Sequence, residues 1–523
     1  MIIIEFENDS QSVNKDILRE RNAIMRKTLS LALSLVLAAI AVAAPVAADD
    51  PAGSPATSAT DSSAEQRYVS EYNRLLQLLN AQPVDLNQVK QTYETSFRAA
   101  VKARKPQIDE EVSVVLNAGL QGQATAGQVK QALDKGLQWF FYEEINALVG
   151  QAATALQNGD TAAAKTALAR AETLFDGTIY VTAGKRDQNF STLTQNVLKN
   201  VALPGLKQAI DKRDTTEFGV FRQYFQKTMM KVFVLGTMRY GAVVETDYKA
   251  GNTDAVKEHI VEGYFFFMPI YQYFSTGSVE AADAIRAAFG SGDGSKVKKA
   301  DIDRWLARAI AGKINAYANA TLDTDLAKGD LSRAKIHAAE GNAFLSQLEV
   351  IVKERLGAQA YAELEQHAEQ YYAAVAAADA KEARAHAYAI LSRVADIAGV
   401  RMTVGAAGLR VDGKDVSSSD IASYVDPTSG RTLASVRLVS EALGATVDWN
   451  TQAGRVTATK NGKTVAFSIG SRDIIVDGKK LENVSLDQPP VVRDNRLYIP
   501  LRALAEQLDG KVFWHDGNIV IHY

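Results

Sequence analysis

Between residue 65 and about residue 400 the chain places apolar residues at three- and four-residue steps, as in Tyr68, Tyr72, Leu75, Leu76 and Leu79. That spacing keeps one face of a 3.6-residue turn apolar and predicts amphipathic helices. Ala, Leu, Lys, Glu and Gln fill the stretch and proline is scarce, so local propensity agrees with the period. The pattern breaks at Asn158-Gly159-Asp160-Thr161, Ala250-Gly251-Asn252-Thr253, Lys328-Gly329-Asp330-Leu331 and Ala378-Asp379. A glycine that closes one helix, followed by an Asp or Asn that caps the next, predicts a tight αα-hairpin at each break. The breaks are 92, 78 and 49 residues apart. Such uneven steps predict an irregular antiparallel bundle of hairpins rather than a regular solenoid.

After Arg401 the period changes. Short runs of Val, Ile and Thr alternate with Gly, Asp and Asn turns, which predicts a strand-rich module over residues 403–523. One unit occurs twice there: residues 431–449 read RTLASVRLVSEALGATVDW and residues 496–514 read RLYIPLRALAEQLDGKVFW. Each copy predicts a strand, a short amphipathic helix, a turn and a strand ending in Trp. Between them, Asn461-Gly462 in an alternating stretch predicts a two-residue hairpin turn. The expected fold class is therefore a mainly α domain, 65–400, followed by a small α/β domain with duplicated strand–helix–strand units.

The N-terminal segment carries an address. Arg26-Lys27, the apolar run Leu29 to Val42 and the small residues Val46-Ala47-Ala48 form the pattern of a secretory signal peptide, 25–48. Residues 1–24 do not fit it and are expected to be an extension, with translation starting at Met25. Residues 49–64, DDPAGSPATSATDSSA, have nothing to bury and should be a flexible linker. No later stretch has the roughly 18 unbroken apolar residues of a transmembrane helix. An exported chain is expected.

Composition narrows the chemistry. Lys+Arg 58 against Asp+Glu 61 leaves a formal charge of −3, without the basic footprint of a nucleic-acid binder. The absence of cysteine excludes disulfides, thiolate zinc, iron–sulfur clusters and a Cys nucleophile. The sequence has no Gly-x-Ser-x-Gly elbow, His-Glu-x-x-His pair, Walker loop or Rossmann glycine pattern. No catalytic residue and no cofactor is assigned.

Two hairpins repeat Lys-x-His-x-x-Glu-Gly, at Lys257 to Gly263 and at Lys335 to Gly341. His259 and Glu262, and likewise His337 and Glu340, fall on one helix face at i and i+3. Two such helices facing each other would supply four ligands to an iron or copper ion. The other expectation is that duplication alone copies a His–Glu pair. The remaining copies do not carry it, with Ala167 at the His position of the first and Ala389 at the Glu position of the fourth. The aromatic run Tyr264 to Phe274 is expected in the core, with Pro269 kinking or ending its helix.

The doubled pattern of 403–523 closely resembles the copper amine oxidase N-terminal-like, or stalk, domain. The resemblance implies a non-catalytic appendage, widely attached to exported proteins of Gram-positive bacteria. The oxidase's quinone-site Thr-x-x-Asn-Tyr-Asp/Glu and its His-x-His copper pair do not occur in the sequence, so amine oxidation is not expected. The module has 14 basic and 14 acidic residues, hence no net field for anionic wall polymers. Trp449, Trp514, Phe513 and Tyr498 are expected in its core. Residues 251–289 resemble the extracytoplasmic helical part of some bacterial iron permeases, although Phe267, Met268 and Tyr271 stand where that family tends to place acids. These readings lead to an exported, non-enzymatic envelope protein, a helical binding domain held at the cell surface by a stalk. Its expected partner is a wall or envelope component or another exported protein. The alternative is an extracytoplasmic iron- or copper-binding protein serving a transporter.

Overall fold

The computed structural model describes residues 63–416 and 422–523. The expected extension, the signal peptide and nearly all of the linker lie outside the described residues.

Among the described residues helices run from Ser63 to Ala398, and strands follow from Val400. Four helices open the array: α1 (Ser63–Asn80), α2 (Leu86–Ser96), α3 (Arg98–Arg104) and α4 (Pro106–Leu120). The first predicted hairpin is α5 (Ala126–Gln157) and α6 (Thr161–Gly177). After α7 (Ile179–Phe190), α8 (Thr194–Val197) and α9 (Leu203–Lys212) comes the second, α10 (Thr215–Ala250) and α11 (Thr253–Ser275). Helix α12 (Val279–Gly290) leads to the third, α13 (Lys299–Asn319), a π-helical turn and α14 (Leu331–Leu345); α15 (Glu349–Leu356) leads to the fourth, α16 (Ala358–Ala376) and α17 (Ala380–Ala398).

The turns form by the capping chemistry read from the sequence. Asp160, Asp330 and Asp379 accept the backbone N–H of Ala163, Arg333 and Glu382 at 2.9–3.0 Å. Gly159, Gly251 and Gly329 adopt φ of 79°, 75° and 73°, and Ala378 takes the same left-handed place at 57°, where its Cβ costs about 1 kcal/mol. The hairpins also stack by a rule. The second helix of each later hairpin packs on the first helix of the hairpin before it: α11 on α5, α14 on α10, α17 on α13. The uneven sequence spacing is absorbed by the inserted helices. Phe265, Phe266, Phe267 and Phe274 are buried as expected, while α11 continues through Pro269 to Ser275.

The C-terminal module contains three antiparallel sheets. The first has the order β13 (Lys511–His515), β14 (Asn518–His522), β1 (Val400–Thr403), β2 (Leu409–Val411), β3 (Lys414–Val416). The second runs β10 (Lys479–Ser485), β9 (Asp473–Val476), β8 (Lys463–Ser468), β7 (Arg455–Lys460), β6 (Thr446–Asn450). The third is β11 (Val491–Arg493), β12 (Arg496–Pro500), β5 (Thr432–Ser435), β4 (Tyr424–Val425). The duplicated units are β5 with α18 (Val436–Ala442) and β6, and β12 with α19 (Leu501–Gln507) and β13. Asn461 and Gly462 both have positive φ, 52° and 83°, in the turn that joins β7 to β8, as the Asn-Gly signal requires.

Two cores result. Most buried apolar residues of the module form their own cluster, but Phe513 and Val520 belong to the core of the helical array. Helix α17 also passes through Gly399 directly into β1. A Cβ at Gly399 would stand 2.9 Å from the His522 ring and 3.0 Å from the Ile521 carbonyl, so this junction requires glycine.

Candidate functional site

Hairpins two and three build the same constellation from matching positions. Helix α10 carries Tyr240 and Asp247; α11 carries His259, Glu262 and Phe266. In the third hairpin Tyr317 lies on α13, Asp325 in the π-helical turn Ala320–Leu326, and His337, Glu340 and Phe344 on α14. Tyr240 precedes its hairpin glycine by eleven residues and Tyr317 by twelve. The π-helical turn takes up that extra residue.

Each histidine is held by an aspartate of its own hairpin. His259 Nδ1 is 2.8 Å from Asp247 Oδ2, and His337 Nδ1 is 2.6 Å from Asp325 Oδ2. A carboxylate only accepts, so Nδ1 carries the proton and donates it. Each imidazole lies tilted against the tyrosine at 5.7 Å between centroids, and each tyrosine stacks in turn on the phenylalanine at 5.6 and 5.8 Å.

Each glutamate is buried and is claimed by a lysine of the preceding hairpin. Lys135 on α5 lies 3.4 Å from Glu262, and Lys227 on α10 lies 3.0 Å from Glu340. Both lysines stand 24 residues before their own hairpin glycine, Gly159 and Gly251. The tyrosine hydroxyls donate to the same carboxylates. Burial, then the charge of Glu262 and this bond, push the Tyr240 hydroxyl up to about 12, and Tyr317 rises for the same causes at Glu340.

The two centres differ in charge. At the first, Lys135 sits between Glu262 and Asp134, which is 2.7 Å away. Burial favours its neutral form, yet the charges of Asp134 and Glu262 outweigh this and raise the Lys135 pKa. Asp134 also accepts from the Tyr72 hydroxyl and from Gln138. Arg186 lies over the Tyr240 and Phe266 rings there, so Glu262 faces two cations. At the second centre Glu340 also faces two, Lys227 and Lys313. Lys313 donates to Thr276 Oγ1 at 2.9 Å and lies over the Tyr317 and Phe344 rings. Burial, with the charges of Lys227 and Lys511 adding to it, brings the Lys313 ammonium down to about 8 against the pull of Glu340.

These contacts correct one expectation. His259, Glu262, His337 and Glu340 do not converge on one point, and among the described residues no three His, Asp or Glu side chains gather in metal-ligand geometry. The reason is local: each histidine is turned to its aspartate and each glutamate to a lysine and a tyrosine. The His–Glu spacing reported a shared hairpin framework. The fixed lysine-to-glycine offset was the readable signal for Lys135 and Lys227.

A second polar site lies where the module meets the array. Asn315 on α13 donates to the Lys511 carbonyl and to His522 Nδ1, both at 3.0 Å, and Asn319 donates to the Val512 carbonyl at 3.1 Å. Lys511 Nζ donates to the Gly277 carbonyl at 2.7 Å. Arg308 donates to the Tyr523 hydroxyl at 3.0 Å and pairs with Asp412 at 3.3 Å. Lys460 pairs with Glu280 at 3.1 Å. Burial, reinforced by the Lys511 charge, pulls the His522 imidazole down to about 3, and it stays neutral.

Among the four aromatics assigned to the module core, Tyr498 and Phe513 are buried, but Trp449 is 39% and Trp514 42% exposed. The tryptophans are the penultimate residues of β6 and β13, on the same strand faces as Val447 and Val512, which pack on the module core, so it is their place at the strand end and not the alternation that exposes them. Among the described residues no helix is long and apolar enough to cross a membrane.

No curated protein and no solved structure matches the chain. Residues 410–523 match the family model of the copper amine oxidase N-terminal domain, the family that the doubled strand–helix–strand pattern resembles.

Proposed function

We propose that this chain is an exported, non-catalytic cell-envelope protein whose stacked hairpins form the binding body and whose C-terminal module holds that body at the cell surface. The match of residues 410–523 to an oxidase's N-terminal domain carries the reading. Two features support it. The signal-peptide pattern at 25–48 gives a route out of the cell. The module shares Phe513 and Val520 with the core of the array, so a partner of one part is rigidly tied to the other. With charge balanced in the module, recognition would rest on shape and on outward aromatics such as Trp449 and Trp514. The partner class is a wall or envelope component, or another exported protein.

The test is expression of the full chain in a Gram-positive host, followed by separation of medium, wall and cytosol and N-terminal sequencing of the product. Processed protein in the wall or medium fraction, and co-sedimentation with purified sacculi or capture of one exported protein, is the expected result. Unprocessed protein confined to the cytosol would overturn the reading.

A further inference from the structure

The fourth hairpin keeps the framework of the second and third but changes its chemistry. His386 stands eight residues after Ala378, as His259 and His337 stand eight after Gly251 and Gly329. His367 stands eleven before Ala378, the place that Tyr240 holds relative to Gly251. The aspartate position is Ala374, the glutamate position Ala389 and the phenylalanine position Arg393. The groups that occupy the histidine in the other hairpins are thus removed, and a second imidazole replaces the tyrosine. The rings lie 5.3 Å apart between centroids, and their Nδ1 atoms face each other at 3.1 Å.

That separation has a chemical meaning. Glu382, one turn before His386, lies 3.2 Å from its Nε2. A carboxylate there holds the proton on Nε2 and leaves Nδ1 as a lone pair aimed at the other ring. Glu363 stands one turn before His367 at the same spacing; its carboxylate accepts from Gln359, and only its charge acts on that ring. Two imidazole nitrogens bound to one ion at 2.0–2.1 Å, at angles between a right angle and the tetrahedral one, lie about 2.8–3.4 Å apart. Both side chains are half-buried, so an ion can reach them from solvent.

We infer that His367 and His386 form a binding site for a late first-row divalent transition ion, with Nδ1 of each ring as ligand, water in the remaining positions, and Glu382 orienting the His386 ring. Imidazole suits zinc, nickel and copper, and copper(II) binds tightest in that series. The site is separate from the four residues of the Lys-x-His-x-x-Glu-Gly pairs and does not depend on the export reading.

The experiment uses the full chain without an affinity tag, titrated with copper(II) and followed by calorimetry and by continuous-wave and pulsed electron paramagnetic resonance. The expected result is one ion per chain at micromolar affinity or tighter, with a spectrum that reports two imidazole nitrogens. His367→Tyr restores the ring pair of the other hairpins and should keep the fold while abolishing binding; His386→Phe should do the same. Glu382→Gln should weaken binding about tenfold, as loss of an orienting carboxylate does. No saturable binding, a spectrum without two imidazole nitrogens, or binding that survives both substitutions or is lost instead in His259→Phe/His337→Phe would overturn the assignment. The wild-type spectrum decides the matter even where a variant fails to fold.

Discussion

Lys227, on the first helix of the second hairpin, holds Glu340, on the second helix of the third, at 3.0 Å with the two side chains 3% and 9% exposed. Breaking a buried pair from one side leaves an uncompensated charge and costs about 3–5 kcal/mol. Glu340→Gln strands Lys227 and takes the nearest carboxylate from Lys313, so the loss should reach that range. Glu262→Gln should cost less, because Asp134 remains 2.7 Å from Lys135. Replacing both partners, Lys227→Met with Glu340→Leu, should recover most of the loss. Urea unfolding of the three variants measures this, and equal losses for Glu340→Gln and Glu262→Gln would count against the two-lysine account.

His522 makes the junction acid-sensitive. Its imidazole, ordinarily near 6.5, is drawn down to about 3 by burial and by Lys511, while the Leu391 carbonyl pulls the other way. Below pH 6.5 the unfolded chain takes up a proton that the folded chain refuses. The stabilising difference is thus whole above pH 6.5 and is lost as the pH falls toward 3, by up to about 1.4 kcal/mol per unit. His522→Gln keeps an acceptor for Asn315 without the titration. Between pH 6.5 and 5 its unfolding free energy should therefore fall less steeply than that of the wild type. Parallel curves would show that His522 is not the sensor.

The helical class, the four hairpin turns and the doubled strand–helix–strand unit were legible because each rests on local rules: period, capping and an Asn-Gly turn. Asp160, Asp330 and Asp379 cap as their spacing requires. The packing of one hairpin on the next was not legible, since Lys135 and Glu262 are 127 residues apart and the His–Glu spacing drew attention away from the lysines. His367 was hidden for a related reason. Its meaning depends on the tyrosine it replaces, which becomes visible when the hairpins are superimposed through their turns. Trp449 and Trp514 misled because the strand faces that pack on the core at Val447 and Val512 are solvent-exposed two residues later, at the strand end.

Close backbone approach makes Gly312 sensitive. A Cβ there would meet the Gly277 carbonyl oxygen at 2.1 Å, the same oxygen that receives Lys511 Nζ at 2.7 Å. Alanine in a helix interior gains about 0.5–1 kcal/mol over glycine, but overpacking against backbone costs about 1–3 kcal/mol. Gly312→Ala should therefore destabilise and weaken the hold of α13 on the module. Gly150→Ala, on α5, meets nothing nearer than Arg222 Nη2 at 3.7 Å and should be neutral or mildly stabilising. Thermal unfolding of the pair tests the contrast, and similar shifts in both would contradict it.

Phe513 tests whether the module and the array unfold as one. Its ring is fully buried in the core of the helical array, under the Arg384 guanidinium at 5.5 Å, although it is carried by a strand of the module. Phe→Ala in a packed core costs about 3–5 kcal/mol. If the shared core couples the two parts, Phe513→Ala should lower hydrogen-exchange protection in α13 and α17 as much as in β13 and β14, and unfolding should remain a single transition. Loss of protection confined to the strands, or a split into two transitions in the wild type, would mean that the module folds on its own and that the array is held to it by polar contacts such as those of Asn315, Asn319, Arg308, Lys460 and Lys511. The distinction bears on the proposed function, because a rigid junction would carry force between a surface-held module and the array, whereas a loose one would let the array reorient.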